Sequence, residues 1–191
     1  GLQVQAGTST GQTVVDACDV RDKLPEQTST GAANAGGIPY NPANPYCHIA
    51  PGITTRFTSA GSYIVPKLDV QVAFTLTSSP GVPLEANWNI PNATIRQWLG
   101  RDLAGGAPNL AVNLLAPDQM RSDRINILDF RIGKVMRFGG HRALFALDLF
   151  NALNLDTVLT NSFTYDPTGA WLVPQEVLTA RTAKITVQYD F

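Results

Sequence analysis

The sequence predicts an all-β protein made of antiparallel strands, and two observations predict it. Apolar and polar residues alternate with a period of two through most segments that are poor in glycine and proline, as expected of strands with one apolar face. The connections between these segments alternate in length along the chain, in the order long, short, long, short, long. Together these patterns indicate an up-and-down sheet in which neighbouring strands follow one another in sequence.

Six segments carry the alternation. The clearest is "LDVQVAFTLT" at residues 68–77, and "RINILDFRIGKVMRF" at 124–138 follows the same pattern with Lys134 as the one charge on its apolar side. The segment at 142–153 is more apolar and also fits a helix, although its alternation favours a strand. We therefore predict strands over about residues 1–10, 53–65, 67–79, 124–138, 142–153 and 178–191.

The lengths of the connections favour a particular β architecture. The long, Gly/Pro/Asn/Asp-rich connections cover about residues 11–52, 80–123 and 154–177, whereas residues 65–67 and 139–141 read as tight turns. In an up-and-down sheet all long connections then lie at one end and all short turns at the other. Outer-membrane barrels have this asymmetry, with long loops outside the cell and short turns in the periplasm. The predicted fold is an antiparallel up-and-down transmembrane β-barrel, located in the bacterial outer membrane.

Six strands are too few to close such a barrel, for which about eight is the minimum. Two explanations stay open. The segments "EANWNI" and "NLAVNLLA", inside the 80–123 connection, would complete an eight-stranded barrel if they also form strands. Otherwise residues 1–191 are the carboxy-terminal part of a larger barrel.

Composition excludes some function classes. The chain has 14 Lys+Arg against 15 Asp+Glu, so no basic surface for nucleic acid is indicated. Only 15% of the residues are charged, compared with roughly 25% in soluble domains. No cofactor is predicted and no enzyme is indicated, because the two histidines fall at opposite ends of the predicted sheet and no phosphate-binding loop is present.

The alternation divides the charged and amide side chains from the apolar ones. The polar side of the predicted strands would face a barrel lumen, and carboxylates there are better explained as lumen-lining groups than as catalysts. These lumen-facing candidates are Asp69, Gln71, Asp129, Arg131, Asp148, Lys184, Gln188 and Asp190. On the apolar side, the aromatic residues near the short-turn end (Tyr63, Phe138, Tyr189 and Phe191) fit a girdle at the lipid headgroups.

The long connections contain two further candidates. Cys18 and Cys47 lie in one polar stretch, where a disulfide is favoured over two free thiols and no zinc-type spacing is present. Aromatic side chains in these connections are candidate contacts for a small-molecule or carbohydrate ligand, with loop packing as the alternative. They are Tyr46, Trp88, Trp98 and Trp171.

Two stretches resemble a known family. "DRINILDFRIGKVMRFGGHRALFALDLFNALN" and "WLVPQEVLTARTAKITVQYDF" are similar to the carboxy-terminal strands of TonB-dependent outer-membrane receptors, in the Oar-like group with a carboxypeptidase-regulatory-like domain. The family's D-x-R-x-x-K strand, its "lFN-lfN" strand end and its final strand are matched at particular positions. These are Asp129, Arg131, Lys134, Phe150, Asn151, Asn154, Arg181 and Phe191.

The resemblance implies a barrel of about 22 strands, closed by an amino-terminal plug and energised through the TonB system. It implies uptake of a scarce substrate such as a siderophore, vitamin or glycan. The terminal pattern of Ile185, Val187, Tyr189 and Phe191 resembles the signal that the barrel-assembly machinery recognises. The implied partners are outer-membrane lipid, that machinery, the TonB system through a part of the receptor outside this sequence, and a small-molecule substrate. An autonomous small barrel with a surface binding or structural role, or a soluble β-sandwich binding module, remains the alternative.

Overall fold

The chain folds mainly as β-strands (55%) that form antiparallel sheets with few helices. The computed structural model describes residues 1–23, 46–169 and 171–190. Its strands, in chain order, are β1 (Leu2–Gly11), β2 (Val15–Asp16), β3 (His48–Ile49), β4 (Thr54–Val65), β5 (Val70–Ser79), β6 (Asn87–Pro91), β7 (Asn109–Asn113), β8 (Ile125–Phe138), β9 (His141–Phe150), β10 (Val158–Asn161), β11 (Thr164–Tyr165), β12 (Pro174–Val177) and β13 (Thr182–Asp190). The helices are α1 (Cys18–Lys23), α2 (Asn92–Leu99) and a short 3-10 helix (Ala104–Gly106).

Six long strands make the main sheet, in the order β1, β4, β5, β8, β9, β13. Every neighbouring pair is antiparallel, so the sheet is the up-and-down meander that the sequence predicts. The segment at 142–153 is a strand rather than a helix as far as Phe150. No closed barrel is found, and among the described residues the outer edges of β1 and β13 pair with no other strand.

Long and short connections lie at opposite ends of this sheet, as the alternation predicts. Residues 66–69 join β4 to β5, and Gly139 and Gly140 join β8 to β9. Both glycines have positive φ (56° and 87°), which is the backbone that a two-residue hairpin turn needs and that glycine adopts without strain. The three long connections, residues 12–53, 80–124 and 151–181, emerge at the other end and carry the remaining elements.

The prediction that Asp69 lies in a strand is wrong. Lys67 and Asp69 have φ values of 69° and 52°, which are incompatible with an extended chain, so β5 begins at Val70 instead of residue 67. Asp69 belongs to the turn, where its carboxylate is ion-paired with Arg137 of β8. The alternation in the sequence hides this turn because Asp and Lys are polar in either setting.

The two segments considered for an eight-stranded barrel do form strands, but not in the main sheet. "EANWNI" contains all of β6 except its last residue, Pro91, and "NLAVNLLA" contains β7; these two strands pair with each other. β6 also pairs in parallel with β11, which gives a separate three-stranded sheet in the long connections. The separate pairing of β10 with β12 and of β2 with β3 completes the structure at this end.

The chain leaves β9 through a tight polar junction. Asn151 is buried at 5% exposure, and its amide donates to the carbonyl oxygens of Leu155 and Thr179, both at 2.8 Å. Its backbone N–H donates to the carboxylate of Asp129 at 2.9 Å. The Asn154 side chain accepts the N–H of Arg181 at 3.0 Å, which fastens the start of the last strand to the end of β9.

We expect Asn151→Gly to lower the free energy of unfolding by about 2–3 kcal/mol, because the hydrogen bonds from the buried Asn151 amide to the carbonyl groups of Leu155 and Thr179 would be lost. Glycine keeps the left-handed backbone (φ 47°), so the loss reports the side chain and not strain. Asn154→Gly is the matched control, since Asn154 also has positive φ but its side chain makes one hydrogen bond, and about 1 kcal/mol is expected. Denaturant unfolding measures both, and equal losses would contradict this account of the junction.

Candidate functional site

The register of the main sheet sorts side chains onto two faces. The apolar face, as defined by strand pairing, includes Leu2, Val4, Tyr63, Val72, Phe74, Leu76, Leu128, Phe130, Ile132, Met136, Phe145, Leu147, Ile185 and Val187. The opposite, polar face carries amide, hydroxyl and charged groups, among them Gln71 in register with Gly133. Since the same parity holds through all six strands, each face is continuous across the sheet.

An ion pair lies on the polar face where β8, β9 and β13 adjoin. Asp148 is buried at 8% exposure, and Arg131 of the neighbouring strand donates to its carboxylate at 3.0 Å. The Thr186 hydroxyl lies 3.4 Å from the second carboxylate oxygen. Lys184 stands directly opposite Asp148 in the register, but among the described contacts it makes no ion pair with it. The pair thus holds one carboxylate group in a largely buried position.

The other predicted lumen-facing residues of β8 and β13 lie on this same face. Asp129 accepts the backbone N–H of Asn151, so it serves the junction at the end of β9. Gln188 donates to Asp190 at 3.1 Å along the exposed strand β13. These contacts are structural, and they bring no carboxylate pair together for acid–base chemistry.

Aromatic rings gather at the short-turn end of the apolar face. Tyr189 stacks on Phe138 with ring centroids 6.3 Å apart and on His141 at 5.7 Å. Tyr63 also lies at this end, opposite Leu2. Phe191, predicted to belong with them, lies outside the described residues.

Lys134 lies on the apolar face, but its ammonium group reaches the short-turn end of the sheet. Its ammonium group donates to the carbonyl oxygen of Leu68, in the turn that joins β4 to β5, at 2.6 Å. The stem of the side chain can therefore lie along apolar surface while the charge reaches the sheet's end.

The first long connection is tied by a disulfide between Cys18 and Cys47, whose Cα atoms are 4.9 Å apart. Beside it, the Cys18 N–H donates to Asp16 at 3.0 Å, and His48 lies 3.0 Å from the other carboxylate oxygen. The hydrogen bond from Cys18, followed by the contact with His48, holds the pKa of the Asp16 carboxyl below its usual range. These interactions are therefore complete at neutral pH and are lost as the pH falls through that lowered pKa.

The three tryptophans of the chain come together in the second and third long connections. Trp88 meets Trp98 edge-on at 6.2 Å and Tyr165 at 6.1 Å, and Tyr165 meets Trp171 at 6.4 Å. Trp98 is 63% exposed, so one end of this aromatic chain faces solvent. The hydroxyl of Tyr46, the remaining candidate aromatic residue, donates to the Leu114 carbonyl at 3.5 Å.

A cavity of about 610 Å³ lies next to this aromatic chain, and sequence reasoning missed it. Its walls come from two connections that are far apart in sequence: residues 82–87 in the second, and residues 159–164 with Gln175 in the third. The volume is within the range of small-molecule sites. The cavity is the candidate binding site in the long connections.

The described residues contain neither a metal-binding cluster nor a helix that could span a membrane. They contain no group of three or more His, Cys, Asp or Glu placed to hold a metal ion. Within the described ranges no helix is long and apolar enough to span a bilayer. Comparison with known proteins finds no matching family model, no matching curated protein and no matching solved structure.

Removing the disulfide should loosen the first long connection. The probe is the Ala17 amide, which donates to the Cys47 carbonyl. In the double variant Cys18→Ser, Cys47→Ser we expect this amide to exchange on the order of 100-fold faster. The reason is that the disulfide closes a loop of about 30 residues, which stabilises the folded connection by roughly 3 kcal/mol. Hydrogen exchange with mass spectrometry measures this. Peptides from β6 and β7 are the internal control, and unchanged protection at Ala17 would refute the expectation.

A double-mutant cycle tests the ion pair on the polar face. Arg131→Met combined with Asp148→Asn should show a coupling of about 1–2 kcal/mol in the free energy of unfolding, since the carboxylate is buried and the guanidinium is half-exposed. Lys184→Met in the same cycle with Asp148→Asn is the control, with a coupling near zero expected. A coupling for Lys184 as large as that for Arg131 would be inconsistent with the pairing described.

Proposed function

We propose that this chain is the carboxy-terminal barrel portion of a TonB-dependent outer-membrane receptor that takes up a scarce substrate such as a siderophore, vitamin or glycan. The observation that carries the proposal is the uncovered apolar face of the main sheet. Ile185 is 79% exposed and Val187 59%, and rings and aliphatic groups in the interior strands, such as Phe145 and Leu147, are 42% exposed.

Such a face is unfavourable in water and favourable in lipid. Apolar surface costs roughly 25 cal/mol per Å² when it is exposed to water, so soluble sandwiches cover theirs with a second sheet. Among the described residues, no other sheet pairs with or continues the main sheet, and its large apolar side chains stay accessible. The aromatic rings of Phe138 and Tyr189 at one end fit a headgroup girdle. These features support a bilayer over a soluble sandwich.

The open edges favour a larger barrel over a self-contained one. In lipid, each unpaired backbone group of β1 or β13 would cost several kcal/mol, so a sheet placed there needs further strands on both edges. The strands that would complete an eight-stranded barrel, β6 and β7, are engaged with each other and with β11. The proposal therefore assigns the missing partners to other strands of a larger receptor, together with its plug and its TonB-coupled segment.

The family-like residues add support because the structure gives them connected roles. Asp129 holds Asn151, Arg131 pairs with Asp148, and Asn154 holds the N–H of Arg181. A pattern that resembles receptor strands thus coincides with the contacts that join β8, β9 and β13. This coincidence supports the family assignment within the proposal.

Nitroxide labels on neighbouring residues of β13 test the membrane placement. Val187→Cys and Gln188→Cys put labels on the apolar and polar faces, and the native cysteines do not react because they are bonded to each other. In outer-membrane vesicles from cells that produce the protein from its own gene, we expect the label at 187 to collide mainly with oxygen and the label at 188 mainly with a water-soluble nickel chelate.

Both outcomes are decisive for the proposal. Equal access of the nickel chelate to the two labels would contradict lipid contact and favour a soluble module. With lipid contact established, the polypeptide's size on unheated and heated gels separates the remaining alternatives. A heat-modifiable band near 20.5 kDa would indicate an autonomous small barrel, and a much larger one supports the receptor.

A further inference from the structure

Hydrogen bonds connect the segments that form the cavity in the long connections. The Asn87 N–H donates to the Phe163 carbonyl at 2.8 Å, and the Trp171 indole donates to the Glu85 carbonyl at 2.9 Å. The Ser162 N–H donates to the Val173 carbonyl at 2.9 Å. The first two of these bonds join the second long connection to the third, so the segments that form the walls are fixed relative to each other.

One charge lies in this cavity. Among the described residues that line it, Glu85 is the only ionisable side chain. One of its carboxylate oxygens accepts the Asn87 amide at 2.8 Å, and the other accepts no hydrogen bond within the described part of the chain. Arg121, beside the cavity at Pro83, is itself ion-paired with Asp118. The cavity therefore presents a negative group without a cation of its own.

The rest of the lining is uncharged and mixes apolar residues, such as Val82, Pro83 and Leu159, with polar ones. The lining residues Thr160, Asn161, Thr164 and Gln175 have hydroxyl or amide side chains, and Phe163 has an aromatic one. Hydroxyl and amide groups bind hydroxyl-rich ligands, while the carboxylate repels anions and attracts an ammonium group. A phosphate or carboxylate ligand would find no positive partner here.

We propose that this cavity binds a small hydroxyl-rich molecule that carries an amine, such as an amino sugar, with Glu85 receiving the ammonium group. The volume of about 610 Å³ accommodates a ligand of disaccharide size. Naming this ligand as the transported substrate rests on the proposed function. The binding site itself does not, because all of its walls belong to the long connections and not to the six-stranded sheet.

Calorimetric titration of the full chain in detergent solution tests the site with two probes of equal size, the β-1,4-linked glucosamine disaccharide and cellobiose. Wild-type protein should bind the amine-bearing disaccharide more tightly. Glu85→Gln keeps an oxygen for the Asn87 amide but removes the charge, and it should weaken binding of the amine-bearing probe by about 10- to 100-fold while changing cellobiose binding by less than about 2-fold.

Glu176→Gln is the matched control. It removes the same charge next to Gln175 in sequence, but outside the cavity lining, and should leave both affinities unchanged. If Glu85→Gln misfolds, Gln175→Lys provides a second variant that should abolish binding of the amine-bearing probe by adding a positive charge to the lining.

Equal affinity of the two probes for wild-type protein, no binding of either, or an unchanged affinity in both variants would overturn the inference. None of these results bears on whether the main sheet lies in lipid, which the spin labels on β13 measure separately. Conversely, aqueous access to the label at 187 would remove the membrane proposal and leave this site standing.

Discussion

The antiparallel register of the six-stranded sheet is the constraint on which the rest of the structure depends. A shift of one residue in any strand would move its apolar side chains onto the polar face. Two contacts on opposite faces oppose such a shift. The Phe74 ring lies over Gly61, where a Cβ would come within 2.6 Å of the ring, so only glycine fits that place in β4 without displacing it. On the polar face, Arg131 and Asp148 meet only because their strands are in this alignment.

One of the short turns also determines where two positive charges of β8 lie. In the turn at residues 66–69, the Leu68 carbonyl accepts a hydrogen bond from Lys134, and the Asp69 carboxylate forms an ion pair with Arg137. These two cations leave β8 from opposite faces, yet both end at the same turn. The central part of the apolar face is thereby kept free of charge, which is what contact with hydrocarbon requires.

Much of the main sheet could be predicted from sequence because its signals are local. Alternation locates its six strands, and the lengths of the connections give their order. Asp69 is the exception, because a polar residue fits the alternation equally well in a strand and in a turn with positive φ. The sequence also indicates the strands inside the long connections, but it does not indicate their partners. β6 pairs with β11, about 77 residues later in the chain, and the alternation within a segment carries no information about such distant pairing. The cavity is the hardest feature to predict, since its lining is assembled from two connections about 70 residues apart in the sequence.

Burial is divided unevenly between the sheet and its long connections. Of the described residues, Leu84, Ala86, Ile90 and Ile95 form a small buried group between residues 80 and 99, whereas Ala143, Ala146 and Asp148 are the buried side chains in the main sheet. The sheet has few buried apolar groups of its own, so its stability depends on backbone pairing and on whatever covers its apolar face. Leu84 and Ala86 of the small buried group flank Glu85 in the sequence. Among the described residues, the buried apolar side chains near the cavity therefore belong to the second long connection, whereas many large apolar side chains of the six-stranded sheet stay exposed.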